Sequence, residues 1–290
     1  MKLSIVVCTY GRYDIIDETI DSILSSASNI KCPLELLVVD NNPPESKKKI
    51  RIVKSAQIKV VDEYKTGLSN ARNKGVTEAS GDVILFNDDD IYATEGYLNY
   101  YYEFFKTHPR VDVAGGKTVP HYEDLKPDWI DPELEKYLSL IDYGNKARPI
   151  KSGEYLVGAN IAFRKTVFDK YGLFNVALGR QGATGLLSNE ETDFVAKLPG
   201  YPYYLPGAAV KHRIFPERLL KSWFKKRVSW QAISDFAGKS GPAPEQIKYE
   251  ISQLDALEVS PNFLEKNDAE IFRHELRKIY LETYRLITGN

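Results

Sequence analysis

Apolar positions along the first hundred residues alternate between two spacings. The run LSIVVC (3–8) is short and continuous and reads as a buried strand. Arg12 to Ala27 then carries Ile15, Ile16, Ile20, Ile23, Leu24 and Ala27 at helical spacing. LELLVVD (34–40) predicts a second strand, QIKVV (57–61) a third and DVILF (82–86) a fourth. Between the last two, GLSNARNKGVTEA (67–79) predicts a helix with Ser69 or Thr66 near its start. Strands alternating with helices imply parallel β-α-β units in an open sheet. Ligands of such sheets collect beyond the carboxyl ends of the strands. Thr9, Asp40, Asp62 and Asp88 all fall at such ends.

The pattern changes further on. Residues 117–152 are rich in Pro, Tyr, Asp and Lys and have weak periodicity, which predicts loops and short helices. YLVGANIAFRK (155–165) returns to a strand pattern, and YYLPGAAVKH (203–212) predicts another strand. NEETDFVAKL (189–198) predicts a helix opened by Asn189 as N-cap, with acids in its first turn. From Pro216 the chain is mostly helical, in segments 216–238, 243–257 and 264–287. A boundary near 215 divides a domain of residues 1–215 from a helical region of residues 216–290.

The stretch 211–230 holds seven Lys or Arg and one Glu, together with Phe215, Leu219, Leu220, Trp223, Phe224, Val228 and Trp230. A basic amphipathic helix can lie in an anionic membrane surface. The favoured reading is that it docks on its own protein by the apolar face, with a solvated basic side. The remaining helices are a surface for the domain or for a second copy in a homo-oligomer.

Composition narrows the classes. The chain has 290 residues, 43% of them hydrophobic, enough for one large domain or one domain with an appendage. A net charge of −1 makes no case for nucleic acid. No run reaches the ~18 apolar residues of a membrane span. MKLSIVVCTYGR lacks the length and cleavage site of a secretory signal. Cys8 and Cys32 show no metal-ligand spacing, and Cys8 reads as a small core residue. A cytoplasmic protein, peripheral on a membrane if 216–230 binds one, is the expectation.

The chemistry begins at VILFNDDDIY (83–92), where four apolar residues run into Asp88, Asp89 and Asp90. Three adjacent carboxylates repel one another, and burial makes that worse. A cation, with an anion on its far side, is one resolution; a solvated acidic loop is the other. Upstream stand TYGR after the first strand, DNN (40–42) after the second and SNARNKG (69–75) in the helix. In this order and spacing the motifs resemble glycosyltransferase family 2, inverting nucleotide-sugar transferases of the GT-A fold, over roughly residues 3–215. The resemblance implies a Rossmann-like, open, twisted, mostly parallel sheet flanked by helices. Here that domain carries a C-terminal helical appendage.

Physical chemistry gives the motifs their parts. Thr9, Tyr10 and Arg12 can wall a flat slot for a nucleobase, and Asp40 can accept from the imide N–H of uracil or thymine. The Arg72 guanidinium offers a planar fork for diphosphate oxygens. By resemblance, Asp88 lies near the ribose and a metal-bound water, and Asp90 ligates Mn²⁺ or Mg²⁺. Asp89 belongs to the same donor-side group, or faces water or caps the loop. The family also carries an acidic pair at the start of a later helix. Glu190 and Glu191 match it, with Glu at the second place where the family usually has Asp. The second acid, Glu191, would be the general base. His212 stands where many GT-A enzymes have a further metal ligand, and otherwise reads as a surface residue. Asn160, in GAN (158–160), occupies a donor-contact position of the family. Trp129 is a candidate sugar face or a core residue. The Gly-rich GRQGATGLLS (179–188) is either a closing loop or a plain connection.

Together these imply transfer of a sugar from a nucleotide-sugar, UDP favoured, to a hydroxyl of a glycan or lipid-linked glycan. Two rivals remain. A sugar nucleotidylyltransferase needs a Gly-rich loop after its first strand, and CTYGRYD has a single Gly. A non-catalytic nucleotide- or glycan-binding protein would bind UDP without donor turnover.

Overall fold

The computed structural model describes residues 1–27, 30, 32–48, 50, 58–182, 185–263 and 265–289. The described residues gather into two units. The first comprises Met1–His121, Ser139–Thr184 and Glu190–Arg213; the second comprises Tyr122–Leu138, Gly185–Asn189 and Ile214–Asn290.

The first unit follows the alternation read from the sequence. β1 (Leu3–Thr9), α1 (Ile16–Ser26), β2 (Leu34–Asp40), β3 (Ile58–Asp62), α2 (Leu68–Glu78) and β4 (Val83–Asp88) come in that order. The expected third strand began at Gln57, which lies outside the described residues. There follow β5 (Ile91–Ala93), α3 (Tyr97–Thr107), β6 (Val113–Tyr122), β7 (Arg148–Pro149), β8 (Asn160–Arg164) and α5 (Thr166–Tyr171), while α4 (Pro132–Glu135), between β6 and β7 in the chain, belongs to the second unit. α6 (Glu190–Val195) and β9 (Tyr203–Ile214) complete the run before the last helices. The sheet order is β3-β2-β1-β4-β8-β6-β9-β5, with β7 paired to β9. β3, β2, β1 and β4 are parallel neighbours. β8 joins β4 antiparallel, and β5 joins β9 antiparallel.

The parallel strands are continuous apolar runs because both faces are covered. On one face Ile16, Ile20 and Ile23 of α1 pack with Leu3, Ile5, Val7, Leu36 and Val38. On the other, Val6, Cys8, Leu37 and Val39 meet Ala71 and Val76 of α2. α2 lies close to β1 at Gly75, where any Cβ would overlap Val6.

Two segments depart from expectation. β6 carries extended backbone through Tyr122, where loops were expected from residue 117. Its outward alternation is blurred by Gly115, Gly116 and Pro120, so no period of two is visible. The strand expected over 155–165 begins only at Asn160, after a turn at 158–159.

In the second unit, α7 (Lys221–Ala237), α8 (Pro244–Glu258) and α9 (Asp268–Thr288) match the expected tail; Leu264, in the third expected segment, is outside the described residues. α9 opens on a capping box made by Asn267 and Glu270. Phe224 and Val228 of α7 are buried, and Lys225 pairs with Glu275 of α9. Phe224 and Val228 are thus packed within their own unit, while Leu220 is exposed. The Trp129 ring meets Phe224 at 5.3 Å and Phe272 at 5.0 Å, edge to face, as the core reading expects. Among the described residues no helix is long and apolar enough to cross a membrane.

Candidate active site

Register brings the chemistry together. Thr9 pairs with Asp40 across β1 and β2, and Cys8 with Asp88 across β1 and β4. The carboxyl edge of the parallel strands therefore holds Thr9, Asp40 and Asp88 side by side. Asp89 and Asp90 form the turn from β4 into β5. Ile91 pairs with His212 across β5 and β9, and Arg213 N–H donates to the Asp90 carbonyl at 2.8 Å.

That pairing makes a cluster. Asp88, Asp90 and His212 each offer one ligand atom, and these atoms lie within 4.8 Å of one another. His212 Nε2 is 3.2 Å from Asp90 Oδ1, and both side chains are buried. His212 is therefore no surface residue. Two carboxylates and an imidazole suit Mn²⁺ or Mg²⁺, whose other positions go to water and phosphate. The surplus of negative charge points the same way. Asp89 is also buried, which corrects its placement in water. Burial and the neighbouring Asp90 push its carboxyl above the usual range, against Thr9 and Arg12. Thr19 of α1 donates to the Asp89 carbonyl at 2.8 Å and holds the turn.

The slot at β1 and β2 is firmly built. Asp40 Oδ2 accepts from the Tyr13 hydroxyl at 2.8 Å, and Oδ1 accepts from Asn42 N at 3.0 Å and Asn42 Nδ2 at 2.8 Å. Asn42 Oδ1 in turn accepts from Gly11 N at 2.7 Å. Lys47 Nζ also stands 3.7 Å from Asp40 Oδ2, so the carboxylate is held by three hydrogen bonds and an ion pair. Tyr10 and Arg12 lie half-buried on the loop after β1. Tyr13 and Asn42 were not singled out in the sequence, although both stand inside quoted motifs.

Two expectations are corrected. Asn160 does not face a donor. Its side chain is fully buried and joins Tyr101 Oη (2.7 Å), Tyr97 Oη (3.1 Å), the Ala208 carbonyl (2.8 Å) and the Lys117 carbonyl (3.1 Å). It ties α3 and β9 to β8, and has no group left over. Arg72 does not present its fork outward either. It is 3% exposed and hydrogen-bonded through Nη1 to Glu190 Oε1, with Nη2 3.5 Å from Asp88 Oδ1. Carboxylates occupy the donors that phosphate was expected to take.

The acidic pair opens α6. Glu190 is 3% exposed, and the Glu191 side chain is 15% exposed. Successive helical residues diverge by about 100°, yet both carboxyls stand near Arg72, Glu190 hydrogen-bonded to it and Glu191 at 3.8 Å. Burial raises the Glu190 carboxyl, and Glu191 adds to this, while Arg72 pulls it down. Glu191 Oε1 accepts from Gly158 N at 2.9 Å. Its Oε2 is buried without a hydrogen-bond partner among the described residues. Asn189 was expected to cap this helix. It instead has φ of 75°, and its amide joins Asp235 at 2.7 Å and Gln231 at 3.0 Å. Ala183 and Thr184 of the Gly-rich stretch lie outside the described residues.

An open α/β sheet with a cation-competent cluster at the carboxyl edge of its parallel strands and an acidic pair nearby is an arrangement suited to group transfer. The model of the Glycosyl transferase family 2 matches residues 4–172, more than half of the chain, and the protein belongs to that family. It is a glycosyltransferase. A glucosyl-dolichyl phosphate glucuronosyltransferase from Haloferax volcanii is 28% identical over 243 residues, covering 81% of this chain and 76% of the relative. A poly-beta-1,6-N-acetyl-D-glucosamine synthase from Staphylococcus aureus is 23% identical, covering 79% of this chain and 53% of the relative. Among solved structures, the mannosyltransferase PcManGT from Pyrobaculum calidifontis with GDP-Man and Mn²⁺ aligns with a TM-score of 0.61 at 16% identity, covering 98% of this chain and 86% of that one. S. aureus TarS 1-349 with UDP aligns with a TM-score of 0.54 at 18% identity, covering 100% and 92%. The two structures share the fold.

Proposed function

We propose that the protein transfers a sugar from a UDP-sugar to a hydroxyl of a glycan or lipid-linked glycan, with inversion at the anomeric carbon. The observation that carries this is the proximity of two groups at one sheet edge. Asp88, Asp90 and His212 are close enough to hold a cation together, and Arg72 links Asp88 to Glu190 and Glu191. A divalent ion held there would supply charge to the departing diphosphate. Asp40 would take a pyrimidine imide N–H between Thr9, Tyr10 and Arg12. Glu191 would orient its Oε2 toward the acceptor hydroxyl and take its proton. The new bond forms from that oxygen to the anomeric carbon as the bond to the diphosphate breaks on the opposite face.

The names of relatives support the acceptor class. The Haloferax relative is named for a glucosyl-dolichyl phosphate, a lipid-linked sugar, and for glucuronosyl transfer. UDP-glucuronic acid is accordingly the first donor to try. Residues 1–215 would form the transferase domain, with residues 216–290 as its helical appendage. The test is a panel of UDP-sugars with Mn²⁺ or Mg²⁺, read as sugar-dependent UDP release, with NMR of the product's anomeric configuration. UDP binding without turnover of any donor would favour a binding protein. Pyrophosphate release from nucleoside triphosphate and sugar phosphate would favour a nucleotidylyltransferase.

A further inference from the structure

We propose that Arg72 is a positioning residue, which sets the acidic pair of α6 through Glu190, and is not a ligand for donor phosphate. This rests on the reading of Glu191 as the base. Arg72 leaves the inner face of α2 and passes between Phe86 and Phe174, whose ring centroids each lie 6.0 Å from its guanidinium carbon. Its charged end meets only carboxylates among the ion pairs described: Glu190, Glu191 at 3.8 Å and Asp88 at 3.5 Å. At Gly158 a Cβ would overlap the guanidinium, so the backbone itself closes the remaining side. To reach a diphosphate, the side chain would have to leave three carboxylates and two rings.

The arrangement has a consequence for the pair. Two adjacent, buried carboxylates repel, and without a counter-ion one would take a proton or swing away. Arg72 gives Glu190 that counter-ion. Glu191 is then held by the Gly158 N–H through Oε1, and its Oε2 stays oriented. The same guanidinium contacts Asp88 and so fixes the distance between the cation side and the base side of the site.

The experiment compares Arg72→Met, Arg72→Lys, Glu190→Gln and the double variant Arg72→Met/Glu190→Gln. Calorimetry measures the Kd for UDP with Mn²⁺, steady-state kinetics measure kcat at saturating UDP-sugar, and thermal unfolding gives Tm. The expected result is a UDP Kd within about twofold of wild type and a kcat lower by roughly 10²-fold, the cost of an ångström-scale misplacement. Arg72→Lys recovers part of kcat, and the double variant is no worse than the poorer single one, as for residues acting as a unit. A UDP Kd weakened by about tenfold or more with near-normal kcat at saturation makes Arg72 a phosphate ligand and overturns the proposal. Multiplying losses in the double variant also overturn it. If the wild type turns over no UDP-sugar, the base reading fails by itself. The Tm cycle then decides the link: non-additive losses support it, and additive ones reject it. Should Arg72→Met not fold, Arg72→Lys carries the same comparisons.

Discussion

Glu190 and Glu191 are neighbours in sequence with different surroundings. One is hydrogen-bonded to a guanidinium; the other accepts from a backbone N–H and has its second oxygen buried 3.8 Å from that guanidinium. Glu191→Gln preserves shape and cannot take a proton. It is expected to leave UDP–Mn²⁺ affinity unchanged and slow turnover by ~10²–10⁴-fold, measured as UDP release at saturating donor. Wild-type turnover in that variant would move the base elsewhere. Gly158 supplies the N–H that holds Glu191 and the space that admits Arg72. Gly158→Ala should therefore lower kcat with little change in UDP affinity, and a weakened UDP Kd with normal kcat would contradict that. Much of this site was legible at the level of residue type. The carboxylates after β4, His212 and the acidic pair all lie on the described cluster or beside it. Direction was not legible. Asn160 and Arg72 have the chemistry of donor contacts, but β8 and α2 turn them inward, and a motif does not record which way a side chain faces.

At the scale of elements, β2 shows how a polar residue can fix a strand. Glu35 accepts from Ser80 N at 2.6 Å, from the Ser4 hydroxyl and from Lys2 Nζ at 3.0 Å. Burial alone would raise its carboxyl; the hydrogen bonds from Ser4, Ser80 and Lys2 outweigh it and hold the group at about 2. Folding thus favours the ionised form. Its contribution is full above the ordinary value of 4.5 and is lost as pH falls through about 2. Glu35→Gln should cost ~1–2 kcal/mol at pH 7, after allowance for solvent screening, and flatten the acid limb of stability. Urea unfolding across that range would show it, and an unchanged acid limb would exclude the role. α1 tests the other kind of contact. Ile20 is buried against the sheet, and Ile20→Ala should destabilise by about 2–5 kcal/mol in the same assay. A loss below ~1 kcal/mol would mean that α1 is loosely packed. Elements with a clean period were readable, as in α1 and β1 to β4. β6 was not, because its glycines and proline leave the alternation to be set by pairing with β8. Asn189 was misjudged for a related reason: a capping residue type was visible, but its backbone φ and the Asp235 partner were not.

The whole molecule enters through the candidate cation site, whose three residues come from distant parts of the chain. Asp88 and Asp90 end the parallel half of the sheet; His212 arrives on β9, antiparallel to β5. The set exists only once β9 has paired, so an unfolded chain offers no comparable site. A cation that binds the folded form alone stabilises it by about 2.7 kcal/mol at a hundredfold excess over its Kd. Mn²⁺ is therefore expected to raise Tm in the absence of any nucleotide, and His212→Ala or Asp90→Ala should remove most of that rise. An equal rise in both variants would place the ion elsewhere. From residue 90 to residue 212 the chain makes a loop of about 120 residues, and closing a loop of that length has an entropic cost that grows only slowly with size. The ion would act as a removable cross-link across that loop: chelation would loosen the junction of β5 and β9 as well as stop the chemistry. Hydrogen exchange along β5 and β9 should thus fall as metal is added and rise on chelation, making an ion bound there a reporter of how tightly the two ends of the sheet are joined.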